Sequence, residues 1–258
     1  MDRPLCEKIP TLPQKKTSKI SKRVSHIARI AMLAVLALSF TVGCKKDEGK
    51  SAENKNKSTN IRKNGPLTGE INGHDWIDLG LPSGVKWATC NVGATLPEEY
   101  GNYFGWGETE PKDNYSSINS LTYKISLRKL KKAGIIDDTH TLTKEHDAAN
   151  VQWGGTWRLP TDKEFEELIS ECDWSFATFN GVNGYLVMGP NKKSIFLPAS
   201  AYQNGTTIEN DGDFGDYWSS SIIEESSSVA CSLGYSSKSF GRRRYARYVG
   251  RTVRPVTD

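Results

Sequence analysis

Three sets of residues in this 258-residue chain carry groups able to do chemistry: five cysteines, four histidines and a short run of acids. The run Asn210-Asp-Gly-Asp-Phe-Gly-Asp216 puts Asp211, Asp213 and Asp216 close together. Hard oxygen donors at short spacing suit Ca²⁺, so these three acids stand as ligand-binding candidates. The run lacks the bidentate Glu that closes an EF-hand loop, and an exposed acidic turn is the plainer reading. Of the histidines, His26 lies near the N-terminus, leaving His74, His140 and His146. His74 precedes Asp75, but no Gly-x-Ser-x-Gly elbow supplies a nucleophile. No His-Glu-x-x-His helix pattern offers zinc ligands, and His140 and His146 lie six apart in a polar stretch. No catalytic residue, metal ligand or cofactor is assigned on this basis.

The cysteines are more telling. Cys44 follows Thr41-Val-Gly43 at the end of Ile30–Val42, a run apolar but for one Ser and one Thr. Six lysines and arginines between Lys15 and Arg29 precede that run, with no acid after Glu7. A membrane-spanning helix needs about 20 apolar residues, so this run is too short to span, yet it fits the apolar region of a signal peptide. The cysteine after small residues resembles a lipobox, with Thr41 where Leu is usual. That resemblance implies cleavage before Cys44 and acylation of Cys44, the lipid attachment site. Cys6 would be lost with the signal. Cys90, Cys172 and Cys231 would remain, and an odd count leaves at least one thiol outside any internal bridge. All three fall in apolar surroundings, so the readings are three free thiols, or one Cys90–Cys172 disulfide with Cys231 left over.

Cleavage also changes the charge argument. The whole chain carries 34 basic and 30 acidic residues, a net of +4. Residues 1–43 hold eight of the basic and two of the acidic ones, so the mature chain has a net of −2. The basic character belongs to the export signal and gives no reason to expect a nucleic-acid partner.

The elements that must position these groups divide the chain into residues 1–43 (signal peptide), 44–68 (tether) and 69–258 (one domain). Residues 45–66 contain no aromatic side chain and cannot bury enough surface to offset their ordering entropy. As a flexible chain they would reach roughly 25 Å. All seven tryptophans lie beyond residue 68. A helix is predicted over Thr161–Cys172: Thr161 and Glu164 form a capping box, and Phe165, Leu168, Ile169 and Cys172 recur on one face. A shorter helix is predicted after Thr143, through His146–Asn150. Short strands are predicted at Trp76–Leu79, Lys86–Val92, Tyr185–Met188, Ser194–Leu197, Val229–Leu233 and Tyr248–Arg254. In the last, Val249, Arg251 and Val253 should share one face. Thr109–Lys144 shows no firm period and reads as a long loop region. The fold class is α+β.

Several motifs are more particular. In order they are Asp78-Leu-Gly-Leu-Pro-Ser-Gly84, Trp87-Ala-Thr-Cys-Asn-Val-Gly-Ala94, Tyr103-Phe-Gly-Trp-Gly-Glu108, Trp153-Gly-Gly-Thr-Trp-Arg-Leu-Pro-Thr161, Ile195-Phe-Leu-Pro-Ala199, Tyr217-Trp-Ser-Ser-Ser221 and Val253-Arg-Pro-Val256. Together they resemble the Fibrobacter succinogenes major paralogous domain, found in surface lipoproteins of Bacteroides and its relatives, over roughly residues 70–257. The Trp-Arg-Leu-Pro-Thr turn before an acidic helix is also similar to the formylglycine-generating-enzyme superfamily and the wider C-type-lectin-like fold. The resemblance implies a compact C-type-lectin-like domain with two helices, a small twisted antiparallel sheet and long loops.

Departures matter. Formylglycine-generating enzymes work through a cysteine pair near the C-terminus, where this chain has only Cys231. Glu110-Pro111 is followed by Lys112, so the lectin-type Glu-Pro-Asn signature is missing. Trp87, Trp106 and Trp218 read as core residues rather than sugar platforms. Trp157 is expected to pack under the helix, Arg158 to pair with a carboxylate, and Gly154 and Gly155 to supply turn geometry. The expectation is a non-enzymatic, lectin-like binding or adhesion module on a lipid-anchored outer-membrane lipoprotein, with either face of that membrane, the cell surface included, left open. Its partners would be the membrane, through the lipid, and a glycan or surface protein. The alternatives are a degenerate enzyme of the formylglycine-generating type, which requires an accessible Cys231, or a subunit of a surface appendage.

Overall fold

The computed structural model describes residues 68–209 and 212–258. Cys44 and Asp211, with the signal and most of the tether, lie outside the described residues. The chain is α+β, with three short α-helices and twelve strands in four antiparallel sheets among the described residues. None of those helices is long and apolar enough to cross a membrane.

The first sheet joins β1 (Thr68–Ile71), β2 (His74–Asp78) and β3 (Lys86–Ala88) to β12 (Val256–Thr257), so the two ends of the domain close on each other. Next come α1 (Leu127–Lys132), a 3₁₀ turn at Lys144–His146, α2 (Ala148–Trp153) and α3 (Asp162–Glu171). The hairpins β4 (Asp173–Phe179), β5 (Val182–Met188) and β6 (Ser194–Pro198) form a second sheet, and β7 (Tyr202–Asn204) pairs with β8 (Thr207–Glu209). The last sheet, in the order β11-β10-β9, is built from β9 (Phe214–Ile222), β10 (Val229–Ser236) and β11 (Ser239–Ala246).

Helix α3 forms where its periodicity placed it. Thr161 Oγ1 accepts from the Glu164 N–H, and the Glu164 carboxylate accepts from the Thr161 N–H at 2.7 Å. These are two of the four donors that a helix start leaves unpaired. Its Phe165 and Leu168 are buried against Trp87, Tyr185, Tyr217 and Tyr235. The second predicted helix forms in two pieces, the 3₁₀ turn and α2. Asp147 caps α2, its Oδ1 accepting from the Ala149 and Asn150 N–H groups. Helix α1 falls inside the stretch expected to be loop, which makes three helices rather than two. Its six residues offer a single buried side chain, Leu130, too little for a periodic signal.

Two further expectations are corrected. Trp157 does not pack under α3; its ring stands edge-on to Trp153 at 5.2 Å and its Nε1 donates to the Ile71 carbonyl. The turn before Pro160 directs it toward the first sheet. The segment Tyr248–Arg254 is no strand. Gly250, Arg251 and Thr252 bridge singly to Gln203, Phe104 and Tyr217. All residues from Val249 to Thr257 are buried. Alternation therefore separates no wet face from a dry one, because the segment threads the core between sheets.

Candidate functional site

The sheet β9-β10-β11 has two different faces, set by period-two alternation and cross-strand register. Tyr217 pairs with Leu233 and Leu233 with Arg242, while Tyr235 pairs with Phe240. This face packs on α3 and the second sheet. Asp216 pairs with Gly234 and Trp218 with Ser232, which itself pairs with Arg243; Tyr245 lies opposite Ala230. The second face therefore carries an acid, a serine, an arginine and two aromatics.

Arg251 completes this face from the core-threading segment. Its Nε lies 2.8 Å from Asp216 Oδ2, with both side chains almost fully buried. The N–H is not aimed along that contact, so the interaction is ionic rather than a well-formed hydrogen bond, and Nη1 has no partner among the described residues. Three rings surround the guanidinium. Its carbon lies 4.1 Å from the centre of Tyr245, 4.7 Å from Trp218 and 5.6 Å from Tyr202. Cation–π attraction of this kind is worth up to about 2 kcal/mol when desolvated. Burial raises the Asp216 carboxyl above the usual range, while Arg251, the Ser232 hydroxyl at 3.1 Å and Arg243 oppose the shift.

Beside this pair opens a cleft of about 230 Å³, lined by Asp216, Gly234, Ser236, Ser239, Arg243 and Tyr245 among others. Gly234 forms its floor. A Cβ there would come within 2.8 Å of Arg243 Cγ and 3.5 Å of Asp216 Oδ1, so only glycine lets the arginine lie across the sheet. Arg243 is exposed and Tyr245 is 37% exposed. An acceptor, a cationic donor, hydroxyls and a partly open ring thus meet on one wall. Such a wall can hydrogen-bond a polyhydroxylated ligand while a ring packs on its apolar side.

A larger cavity, about 310 Å³, lies by Lys144, Asp147 and Arg158. Its Asp147 and Arg158 are spent on the scaffold. Asp147 also accepts from the Leu159 N–H at 2.8 Å, and Arg158 holds Glu164 at 2.6 Å and Asp258 at 2.7 Å. The carboxylate partner expected for Arg158 is therefore Glu164, joined by Asp258. Gly154 and Gly155 adopt φ of +71° and +61°, as a turn that excludes a Cβ requires. Trp87, Trp106 and Trp218 are buried core residues.

The acidic run does not act as a unit. Asp213 is exposed, while Asp216 is inside β9 and committed to Arg251, because strand alternation turns it inward. Asp216 is therefore no part of an exposed acidic turn. No group of three His, Cys, Asp or Glu residues is poised to hold a metal among the described residues. His74 stacks flat on Trp153 at 3.7 Å, His140 contacts Glu224 at 2.7 Å, and His146 Nδ1 meets the Gly107 carbonyl. Of the two readings for the thiols, the structure has the unbridged one: Cys90, Cys172 and Cys231 are free, and no Cys90–Cys172 disulfide is formed. Cys90 sits beside Thr89, whose hydroxyl is 3.6 Å from its sulfur, whereas Cys172 ends α3 and packs in the core with Trp174. Cys231 is 8% exposed, and burial pushes its thiol up to about 11, which suppresses the thiolate. Arg243, Tyr245 and Arg251 are candidate site residues that the sequence did not single out as such. The arginine-rich stretch at 242–244 was the available signal. Comparison with family models, with curated proteins and with solved structures finds no match for this chain.

Proposed function

We propose that this chain is an exported lipoprotein, cleaved before Cys44 and held to the envelope by lipid, whose domain is a lectin-like binding module. Its ligand is a hydroxyl-rich molecule, a glycan, taken at the cleft beside Asp216. The observation that carries this reading is Arg251: a buried guanidinium in a layer of three rings, ion-paired to Asp216, with one nitrogen that has no partner among the described residues. Its two neighbours Asp216 and Tyr245 both line the open cleft. A buried polar layer of this kind costs stability unless something uses it. The resemblance to the Fibrobacter succinogenes major paralogous domain and to C-type-lectin-like folds supports the same reading, as does the lipobox-like sequence at Cys44.

The test uses the mature chain with Cys44→Ser on a glycan array, with and without calcium. Binding to a defined glycan, lost in Tyr245→Ala and Arg243→Ala variants that melt like the parent, is the expected result. A blank array in both conditions, or variants that bind unchanged, would overturn it. In cells, Cys44→Ser should move the protein out of the membrane fraction and abolish fatty-acid labelling; retention in the membrane would reject the lipid anchor.

A further inference from the structure

The third strand of the β9-β10-β11 sheet has a free side. Among the described residues, strand β11 hydrogen-bonds only to β10. Beyond that ladder, the main chain of Ser239–Tyr245 receives no hydrogen bond from any described residue except a long 3.4 Å contact between the Arg243 guanidinium and the Arg242 carbonyl. In an antiparallel pair, alternate residues aim both N–H and C=O away from the neighbour. An unpaired edge of this length is a template for another strand.

The side chains on that edge have a definite sign. Arg242, Arg243 and Arg244 follow one another and are all exposed. Arg242 is neutralised by Asp162 at 2.8 Å and Glu166 at 3.0 Å on α3. Among the described residues Arg243 and Arg244 have no carboxylate within ion-pair distance, and alternation directs them to opposite faces of the sheet. Like charges facing one another destabilise a strand pair, so a second copy of β11 is repelled. The chain's own residues 45–66 are a poor occupant too, with basic residues outnumbering acids seven to three.

We propose that the free edge of β11 takes up an extended acidic peptide segment as an added strand, with two consecutive carboxylates in register with Arg243 and Arg244. Consecutive residues of a strand point to opposite faces, so a Glu-Glu step answers one arginine on each side. Backbone pairing supplies affinity and the charge pair supplies register. The same arginines that bar self-pairing thereby select the partner. The edge shares Arg243 with the cleft beside Asp216, whereas Arg244 lies on the opposite face of the sheet, so Arg244 alone separates peptide uptake from the glycan reading.

The probe is a fluorescein-labelled hexapeptide, Thr-Val-Glu-Glu-Val-Thr, titrated into the mature Cys44→Ser chain and followed by anisotropy and amide hydrogen exchange. Saturable binding with slowed exchange across Ser239–Tyr245 is expected. Arg244→Glu should weaken it about tenfold while circular dichroism and any glycan binding stay unchanged. A peptide N-methylated at both glutamates should not bind. Three results overturn the proposal: no saturation at millimolar peptide, undiminished binding of the N-methylated peptide (a mere polyanion patch), or a chain that sediments as a dimer with β11 amides already protected. Loss of glycan binding with peptide binding intact would touch only the earlier reading.

Discussion

Arg247 and Arg254 are as deeply buried as Arg251, yet they are used differently. Arg254 donates through Nη1 to the Ala88 and Thr89 carbonyls, through Nη2 to Phe196 and through Nε to the Asn91 side chain, all within 3.0 Å. Arg247 donates to Val229, Thr122, Ile125 and Ser226 carbonyls. Among the described residues neither is ion-paired to a carboxylate; each ties together main-chain carbonyls from loops and strands, which need donors when buried. Burial pushes Arg247 down to about 10, so it stays charged at neutral pH. Arg251 instead has one carboxylate, three rings and a nitrogen left over. Saturation marks a fastener, and unspent bonding capacity next to a cleft is what sets Arg251 apart as the proposed binding group.

The sharpest way to break this contrast is to remove a fastener. Arg254→Met should cost about 3–5 kcal/mol, because four oxygens lose their donor inside the protein. Urea unfolding that showed a loss below about 1 kcal/mol would void the distinction. At the other site, Asp216→Asn or Arg251→Met alone should each cost about 3 kcal/mol by stranding a buried charge. The double variant should recover most of that loss. Its melting should approach the parent while glycan binding stays lost; an additive double loss would place Arg251 with the fasteners.

The buried carboxyls offer a third test. Burial raises Asp147 to about 6, with three backbone N–H bonds acting the other way. The native state then holds this proton more tightly than the unfolded chain, whose value is near 3.8. Stability should therefore fall as pH rises from about 4 to 6, at up to about 1.4 kcal/mol per pH unit from this group. Asp147→Asn should flatten that slope; the same slope in the variant would assign it elsewhere. The smallest expected effect is Thr161→Ala, which removes one half of the capping box of α3 and should cost about 1 kcal/mol. Chemical unfolding checks it, and ligand binding should not change.

Local signals were legible where local physics dominates. The cap and the i, i+3, i+4, i+7 face placed α3 within a residue at each end, and the apolar run at Ser194–Leu197 became β6. Strand β11 was missed because Arg242–Arg243–Arg244 has no apolar alternation to detect; its backbone is held by β10, a neighbour across a turn, rather than by its own composition. Tyr248–Arg254 failed for the opposite reason. Its alternation is genuine, but with both sides buried the pattern says nothing about which elements it joins.

The sequence by itself determined the partition of charge between residues 1–43 and the rest of the chain, the helix start at Thr161, and the core character of the tryptophans. These follow from composition and from contacts within a few residues. Only the tertiary structure decided that Asp216 faces Arg251 and not an acidic turn, that Cys90 and Cys172 stay unbridged, and that one buried arginine of three has bonding capacity to spare. Each of those outcomes depends on which strand lies beside which and in what register, and hence on carbonyls and rings brought in from distant parts of the chain.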